Sequence, residues 1–266
     1  VGGNITYSRF WDWEQYKPRF SNSWDEYRNS IWHRVGYVNW GYEAIGRFDS
    51  WEQIANYPVD NDRKGNRTVV PGDIMYKDQN NDGVINYLDE RPIGYRVDST
   101  PTLNFGINLS ASWKGFDLAM DWTGSGMTSW NQCYETARPF QNDGNSPDEV
   151  LKDAWHLSDI WDANSPLIPG KYPMVRLNTD ETSAYDKSSY WLHNVTYLKL
   201  RNLEVGYTFP KTWLNRTGIS NLRLFVSGTN LLTLSNLSVM DPECASDNGL
   251  DYPPMRVINI GVNLKF

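Results

Sequence analysis

The chain closes on Asn259–Phe266, eight residues that alternate polar and apolar without a fault and stop on an aromatic. Extended upstream, Ile258, Ile260, Val262, Leu264 and Phe266 fall on one strand face, and Asn259, Gly261, Asn263 and Lys265 on the other. Few folds accept such a strand. A soluble protein rarely ends on a long apolar edge, because the edge recruits other strands. In a transmembrane barrel one face meets lipid, the other a wet lumen, and closure removes the edge.

Composition narrows the field further. The 266 residues carry a formal net charge of -7, which argues against nucleic acid as a partner. Mean hydropathy is -0.61, and no apolar run approaches the roughly 18 residues of a spanning helix. A barrel is still allowed, since alternating strands average to a polar value. The 13 Trp and 16 Tyr are also what a large soluble β-domain with an aromatic core would hold. No signal peptide is visible at Val1, so the chain is expected to be mature or to begin inside something longer. Cys133 and Cys244 do not make a disulfide scaffold; a single bridge and two separate thiols both fit.

Strands are expected at about 3–10, 102–113, 115–124, 195–209, 221–231 and 256–266. In the clearest, Leu103, Phe105, Ile107, Leu109, Ala111 and Trp113 oppose Asn104, Gly106, Asn108, Ser110 and Ser112. Lys114-Gly115 turns the chain tightly. The return strand sets Phe116, Leu118, Met120 and Trp122 against Asp117, Ala119 and Asp121, aspartates that suit a watery lumen better than a sandwich core. In 195–209 the alternation breaks, since continuing it upstream would put Lys199 and Arg201 on the apolar side. A bulge explains that, as does a strand that has left the membrane. The long segments, about 11–101, 125–192 and 232–255, fall together at one end and the short turns at the other, as in outer-membrane barrels. Each loop is expected to fold locally, with short helices such as Ser23–Arg34 and Ser146–Trp155. The expected fold class is therefore all-β, a transmembrane antiparallel barrel. Six strands cannot close, because bacterial barrels start at about eight, so the chain is read as part of a larger barrel.

Four passages in order then resemble one family. Pro71–Asn86 (PGDIMYKDQNNDGVIN) with Ile93-Gly94 is similar to the "PGDIKYKDxNGDGxI…IG" passage of SusC/RagA-type TonB-dependent transporters. Leu103–Leu118 resembles the family's "NFGxNLSxSYKGFDLS" hairpin. Tyr197–Pro210 resembles "YLRLKNLxLGYTLP", and Tyr252-Pro253, Arg256, Gly261 and Phe266 resemble its closing "YPxxRxxxxGxxxxF". Residues 1–70 match only loosely. The resemblance implies the C-terminal part of a barrel of about 22 strands with a plugged lumen, integral to a bacterial outer membrane and set in its lipid, with extracellular loops. It implies as partners a SusD-like surface lipoprotein that closes the mouth, the remaining barrel and plug, and the TonB complex through the missing N-terminal part. The ligand it implies is an oligosaccharide or, second, a peptide.

The sharpest local motif is Asp78-x-Asn80-x-Asp82-Gly83-Val84-x-Asn86-x-x-Asp89, with oxygen ligands at positions 1, 3, 5, 9 and 12, glycine at 6 and the Val84 carbonyl at 7. That is the spacing of an EF-hand loop, and hard oxygens suit a structural Ca²⁺. Position 12 is Asp89 rather than the longer Glu, and the flanks lack the paired helices. A metal-free Asn/Asp/Gly turn fits the same residues.

Loop aromatics are the second candidate. Trp130, Tyr134, Trp155, Trp161 and Trp191 could stack on sugars or anchor a partner, or could form small cores within the loops. Trp113 and Trp122 read instead as interface-girdle residues. His33, His156 and His193 are scattered, with no HExxH, GxSxG or phosphate loop, and no enzyme is expected. The competing class is a soluble calcium-dependent carbohydrate-binding β-sandwich.

Overall fold

In the computed structural model, residues 1–16, 18–95, 101–177, 181–215, 218–243, 248–249 and 251–266 are described. Six strands build one antiparallel meander in chain order: β1 (Gly2–Tyr7), β2 (Leu103–Trp113), β3 (Phe116–Asn131), β4 (Leu192–Thr208), β5 (Asn221–Ser235) and β6 (Val257–Lys265). β1 and β6 are the two edges. Residues 114–115 and 209–220 join strands at one end of the sheet, and the three long segments join them at the other. A sandwich would need a second broad sheet. Among the described residues the other sheets are two-stranded ribbons.

β3 and β4 run to 16 and 17 residues, well beyond the 9–11 that cross a bilayer. β3 therefore extends past the expected end near 124, and the second long segment starts at 132. Alternation hides this extension. Ser125 pairs with Tyr197 and Thr128 with Val195, so Gly126 and Met127 share one position opposite Thr196, and Met127 takes a left-handed φ of 55°. A bulge resets the period of two, and the sequence pattern fades there.

A second bulge explains the broken phase in β4. Leu200 pairs with Trp122 and Asn202 with Asp121, leaving Arg201 as the extra residue. Leu198 and Leu200 then share a face with Leu203 and Val205, while Lys199 opposes Thr123 on the polar side. The strand stays in the sheet, and both cations avoid the apolar face.

The long segments do not fold one by one, as expected from the sequence. The first two make a single body. Tyr42, Ile74, Tyr76 and Ile85 from the first pack with Val150, Tyr172, Tyr185 and Trp191 from the second. Directional bonds stitch the halves: the Tyr76 hydroxyl donates to the Ser183 carbonyl at 2.7 Å, and Arg47 donates to the Gly170 carbonyl at 2.6 Å. Asp73, fully buried, pairs with Arg176 across the same seam. Phe48, Ile54 and Val69 form a satellite cluster beneath the helix Trp51–Ala55, which Ser50 caps. The helices expected at Ser23–Arg34 and Ser146–Trp155 are shorter, Ser23–Asn29 and Asp148–Lys152.

Candidate functional site

The two faces of the sheet differ in chemistry. One carries Ile5, Ile107, Val205, Leu224, Val226, Ile258, Ile260, Val262 and Leu264, all exposed. At the short-turn end this face gathers an aromatic belt. Phe116 and Tyr207 lie 4.6 Å apart by ring centroids, Phe209 lies 5.0 Å from Tyr207, and Trp213 lies 6.0 Å from Phe209. Trp113 is beside them with Lys114 over its ring, and Trp122 sits on the same face between Ile107 and Leu200. Apolar strands ending in a ring of aromatics match a lipid boundary.

The opposite face is a polar ladder. Asn108 donates to Asp121 at 2.7 Å, and Asn202 reaches the same carboxylate at 3.2 Å. Arg223 lies across Gly206, where a Cβ would collide with its guanidinium, and bridges Asp117 and Glu204. Phe225 covers Gly261 in the same way, so the glycines of β4 and β6 make room for large neighbours. Towards the long-loop end, Lys199 is 1% exposed and donates to Asp241 at 2.8 Å and Glu243 at 2.9 Å. Arg201 adds a bond to Thr123 at 3.1 Å and a second pair with Glu243. Trp130, Val195 and Leu237 seal this anchor, which ties the third long segment to the sheet.

The loop 78–89 brings three of its expected ligands together. Carboxylate oxygens of Asp78, Asp82 and Asp89 lie within 4.8 Å of one another. Gly83 takes a positive φ of 84°. Ile85 inserts into the loop-body core and donates its N–H to the Asp60 carbonyl at 2.9 Å, fixing one side of the loop. Asp78 accepts the N–H groups of Asn81 and Gly83, and Asp89 those of Gln79 and Asn86. The Asn80 and Asn86 amides donate to Asp82, and Asn86 also donates to the Val84 carbonyl. A strand, Ile74–Tyr76, and one 3₁₀ turn, Tyr87–Asp89, flank it in place of EF-hand helices. The donor set is all hard oxygen and suits Ca²⁺.

The other sequence candidates separate cleanly. Trp130, Trp155 and Trp191 are buried at 4%, 7% and 1% exposure, so they are core residues. Trp191 stacks on Tyr172 and Tyr185 and donates its indole N–H to the Ala184 carbonyl. Tyr134 is about half exposed, and Trp161 stands 90% exposed at the tip of the ribbon His156-Leu157/Leu167-Ile168. Cys244, and with it a bridge to Cys133, lies outside the described residues.

A feature with no signal in the sequence is a polar cleft of about 440 Å³ in the loop body, walled by Arg28, Arg63, Lys187, Glu90, Asp186 and Tyr42. Arg28 pairs with Glu90 at 3.0 Å and Arg63 with Asp186 at 2.7 Å. Burial pushes Asp186 above the usual carboxylate range against the pull of Arg63. Burial likewise pushes the Tyr42 hydroxyl up to about 12, with Arg63 opposing it. These residues are scattered over 160 positions of sequence, and only the joint folding of two loops assembles them.

No protein-family model matches the chain. It is 30% identical over 242 residues to TonB-dependent receptor P3 of Formosa agariphila, a match covering 84% of this chain and 22% of that protein. It is 24% identical over 252 residues to TonB-dependent receptor SusC of Bacteroides thetaiotaomicron, covering 88% and 20%. The chain belongs with the SusC/RagA-type TonB-dependent receptors. Its fold agrees with the RagAB peptide importer in the open-open state at a TM-score of 0.56 and 21% identity, over 96% of this chain and 25% of that one. The chain spans about a fifth of the length of the curated relatives it matches. A six-stranded open meander is thus what a SusC-like receptor segment of this length should present.

Proposed function

We propose that this SusC-like segment supplies the C-terminal wall and extracellular rim of an outer-membrane importer of oligosaccharides. The observation that carries the reading is the sheet itself: six strands with an apolar face bounded by aromatics, a polar face laced with ion pairs, and two open edges. Open edges are not tolerated in lipid, so further strands of the same barrel must pair with β1 and β6. In this reading the polar face lines the lumen around a plug, and TonB energises import through the N-terminal part. A SusD-like lipoprotein meets the rim, where Trp161 is the most exposed anchor. The loop body would brace that rim, with Ca²⁺ in the loop 78–89 holding its carboxylates together.

Oligosaccharide is the preferred ligand because the loops are rich in tyrosine, tryptophan and paired carboxylates that suit hydroxyl recognition; peptide import by the same architecture is the alternative. Deleting the full-length gene and growing cells on oligosaccharides or on peptides as sole nutrient tests the assignment. Loss of growth on an oligosaccharide supports it. Loss on peptides alone moves the reading to peptide import, and unchanged growth on both removes it. For the ion, chelation should lower the thermal transition of the loop body in the wild type and leave Asp82→Asn unmoved. A transition insensitive to calcium in both would remove the metal.

A further inference from the structure

The apolar face of the sheet has a second aromatic border, and that border encloses a cavity. Tyr7 pairs with Leu103, at the opposite end of β2 from Trp113 and on the same face. β2 has 11 residues, and at ~3.4 Å each with a tilt of ~45° it rises about 25 Å, the height of a barrel's apolar band. Tyr7 therefore stands at one border of the hydrocarbon and Trp113 at the other. A cavity of about 700 Å³ begins at Tyr7, within the roughly 300–1,000 Å³ typical of small-ligand sites. Phe10, Tyr37 and Tyr95 line it as well, and all four rings are exposed. Thr102, just before β2, and Met127 of β3 also line it, so it extends over paired strands and not only along the free edge of β1.

The walls are fixed by the protein itself. Tyr95 donates its backbone N–H to the Ser129 hydroxyl at 2.9 Å, and buried Asn39 donates to the Tyr95 carbonyl. Gly36 donates its N–H to the Phe10 carbonyl at 3.1 Å, and a Cβ at Gly36 would collide with the Phe10 ring. Ser129 pairs with Asn194, which alternation places with Leu192 and Leu198 on the apolar side. The cavity thus lies on the opposite side of the sheet from the Lys199 anchor, away from anything crossing the lumen. Arg9 lines it too, and among the described residues its side chain forms no hydrogen bond or ion pair and no acidic side chain shares the wall. A guanidinium so placed is ready for one phosphate, aromatic faces suit a sugar ring, and the apolar strands beside them suit acyl chains. We propose that this cavity seats the headgroup of a phosphorylated glycolipid in the leaflet at the long-loop end. Its sugar lies against the tyrosines, its phosphate on Arg9 and its acyl chains along Ile5 and Ile107. The proposal needs the barrel to stand in lipid and is independent of what the barrel imports.

The test is native mass spectrometry on the delipidated full-length transporter, titrated with monophosphoryl lipid A, the same lipid stripped of its phosphate, and phosphatidylglycerol. The wild type should retain one lipid A. Arg9→Gln and removal of the phosphate should each weaken that retention about tenfold or more, the effect of losing one charge-assisted hydrogen bond. Lys211→Gln, which removes a cation at the short-turn end, should leave it unchanged. Heat-modifiable migration in gels confirms a folded barrel for every variant. Equal retention by the wild type and Arg9→Gln would overturn the proposal, as would equal retention of the stripped lipid or of phosphatidylglycerol. Displacement of lipid A by inorganic phosphate would assign the cavity to a free anion, and displacement by maltotriose to a soluble sugar; either result overturns the lipid. Growth separates this site from the importer reading. Growth that depends on the gene, with no lipid A retained by the purified protein, keeps the importer and loses the site. Retained lipid A with growth unaffected by deletion keeps the site and loses the importer.

Discussion

The sheet and the loop body are made from one chain but solve opposite problems. In β6, Ile260 is 82% exposed and Val262 54%. In the loop body, Phe48, Ile74, Tyr76 and Ile85 are all at 0%. The sheet keeps its backbone paired strand to strand and leaves its apolar face for lipid, which asks little of side-chain packing. The loop body stands in water and must bury its own aromatics, so it is built like a small soluble domain. One polypeptide is written for two solvents, and the anchor around Lys199 is where the two regimes meet.

That contrast can be broken by substitution. Trp191→Ala should have the largest effect, about 3–5 kcal/mol, since it removes a fully packed indole and orphans the Ala184 carbonyl. Protease should then cut the long loops while the barrel keeps its heat-modifiable migration; a barrel lost together with the loops would show that the two regions are one cooperative unit. Next, Lys199→Met strips Asp241 of its ammonium partner, leaves Glu243 held by Arg201 alone, and should cost about 3 kcal/mol. Hydrogen exchange should rise over 236–243 and stay low in β2 and β3. Unchanged exchange would mean the anchor is ornamental.

The two faces themselves are compared by Val226→Arg against its neighbour Ser227→Arg. The first should cost about 2–4 kcal/mol if it lies near mid-bilayer, and the second close to nothing. Equal penalties would sink the lipid assignment. The smallest effect is a pH dependence confined to the loop body. Burial works to raise the Asp62 pKa, but bonds accepted from Thr68, Lys64 and Asn66 together outweigh it and hold the group at about 2. A depressed carboxylate stabilises the fold above its unfolded value near 3.8, and that contribution fades as pH falls through about 2. It should amount to ~1–2 kcal/mol, so acid melting of the loop body below pH 4 should be blunted in Asp62→Asn.

Periodicity made the sheet legible because side-chain alternation is a local property. Leu103–Trp113 and Val257–Lys265 read correctly almost to the residue. Where a bulge inserts a residue, at Gly126-Met127 and at Arg201, the pattern loses its phase, and the end of β3 was missed. The convergence of Asp78, Asp82 and Asp89 is legible for the same reason, because one tight turn joins them. The aromatics were not, since nothing near Trp161 or Trp191 in sequence distinguishes the most exposed indole from the most buried.

Local pattern along the chain thus suffices for an antiparallel meander with two unlike faces, for long connections gathered at one end, and for membership in a receptor family. Long-range packing is what gives two long loops one core, turns Lys199 and Arg201 to the polar face at a bulge, and brings Arg28, Arg63 and Lys187 to one cleft. The physical reason is range. Alternation and turn chemistry act within a few residues, whereas burial and charge clustering depend on partners more than a hundred positions away.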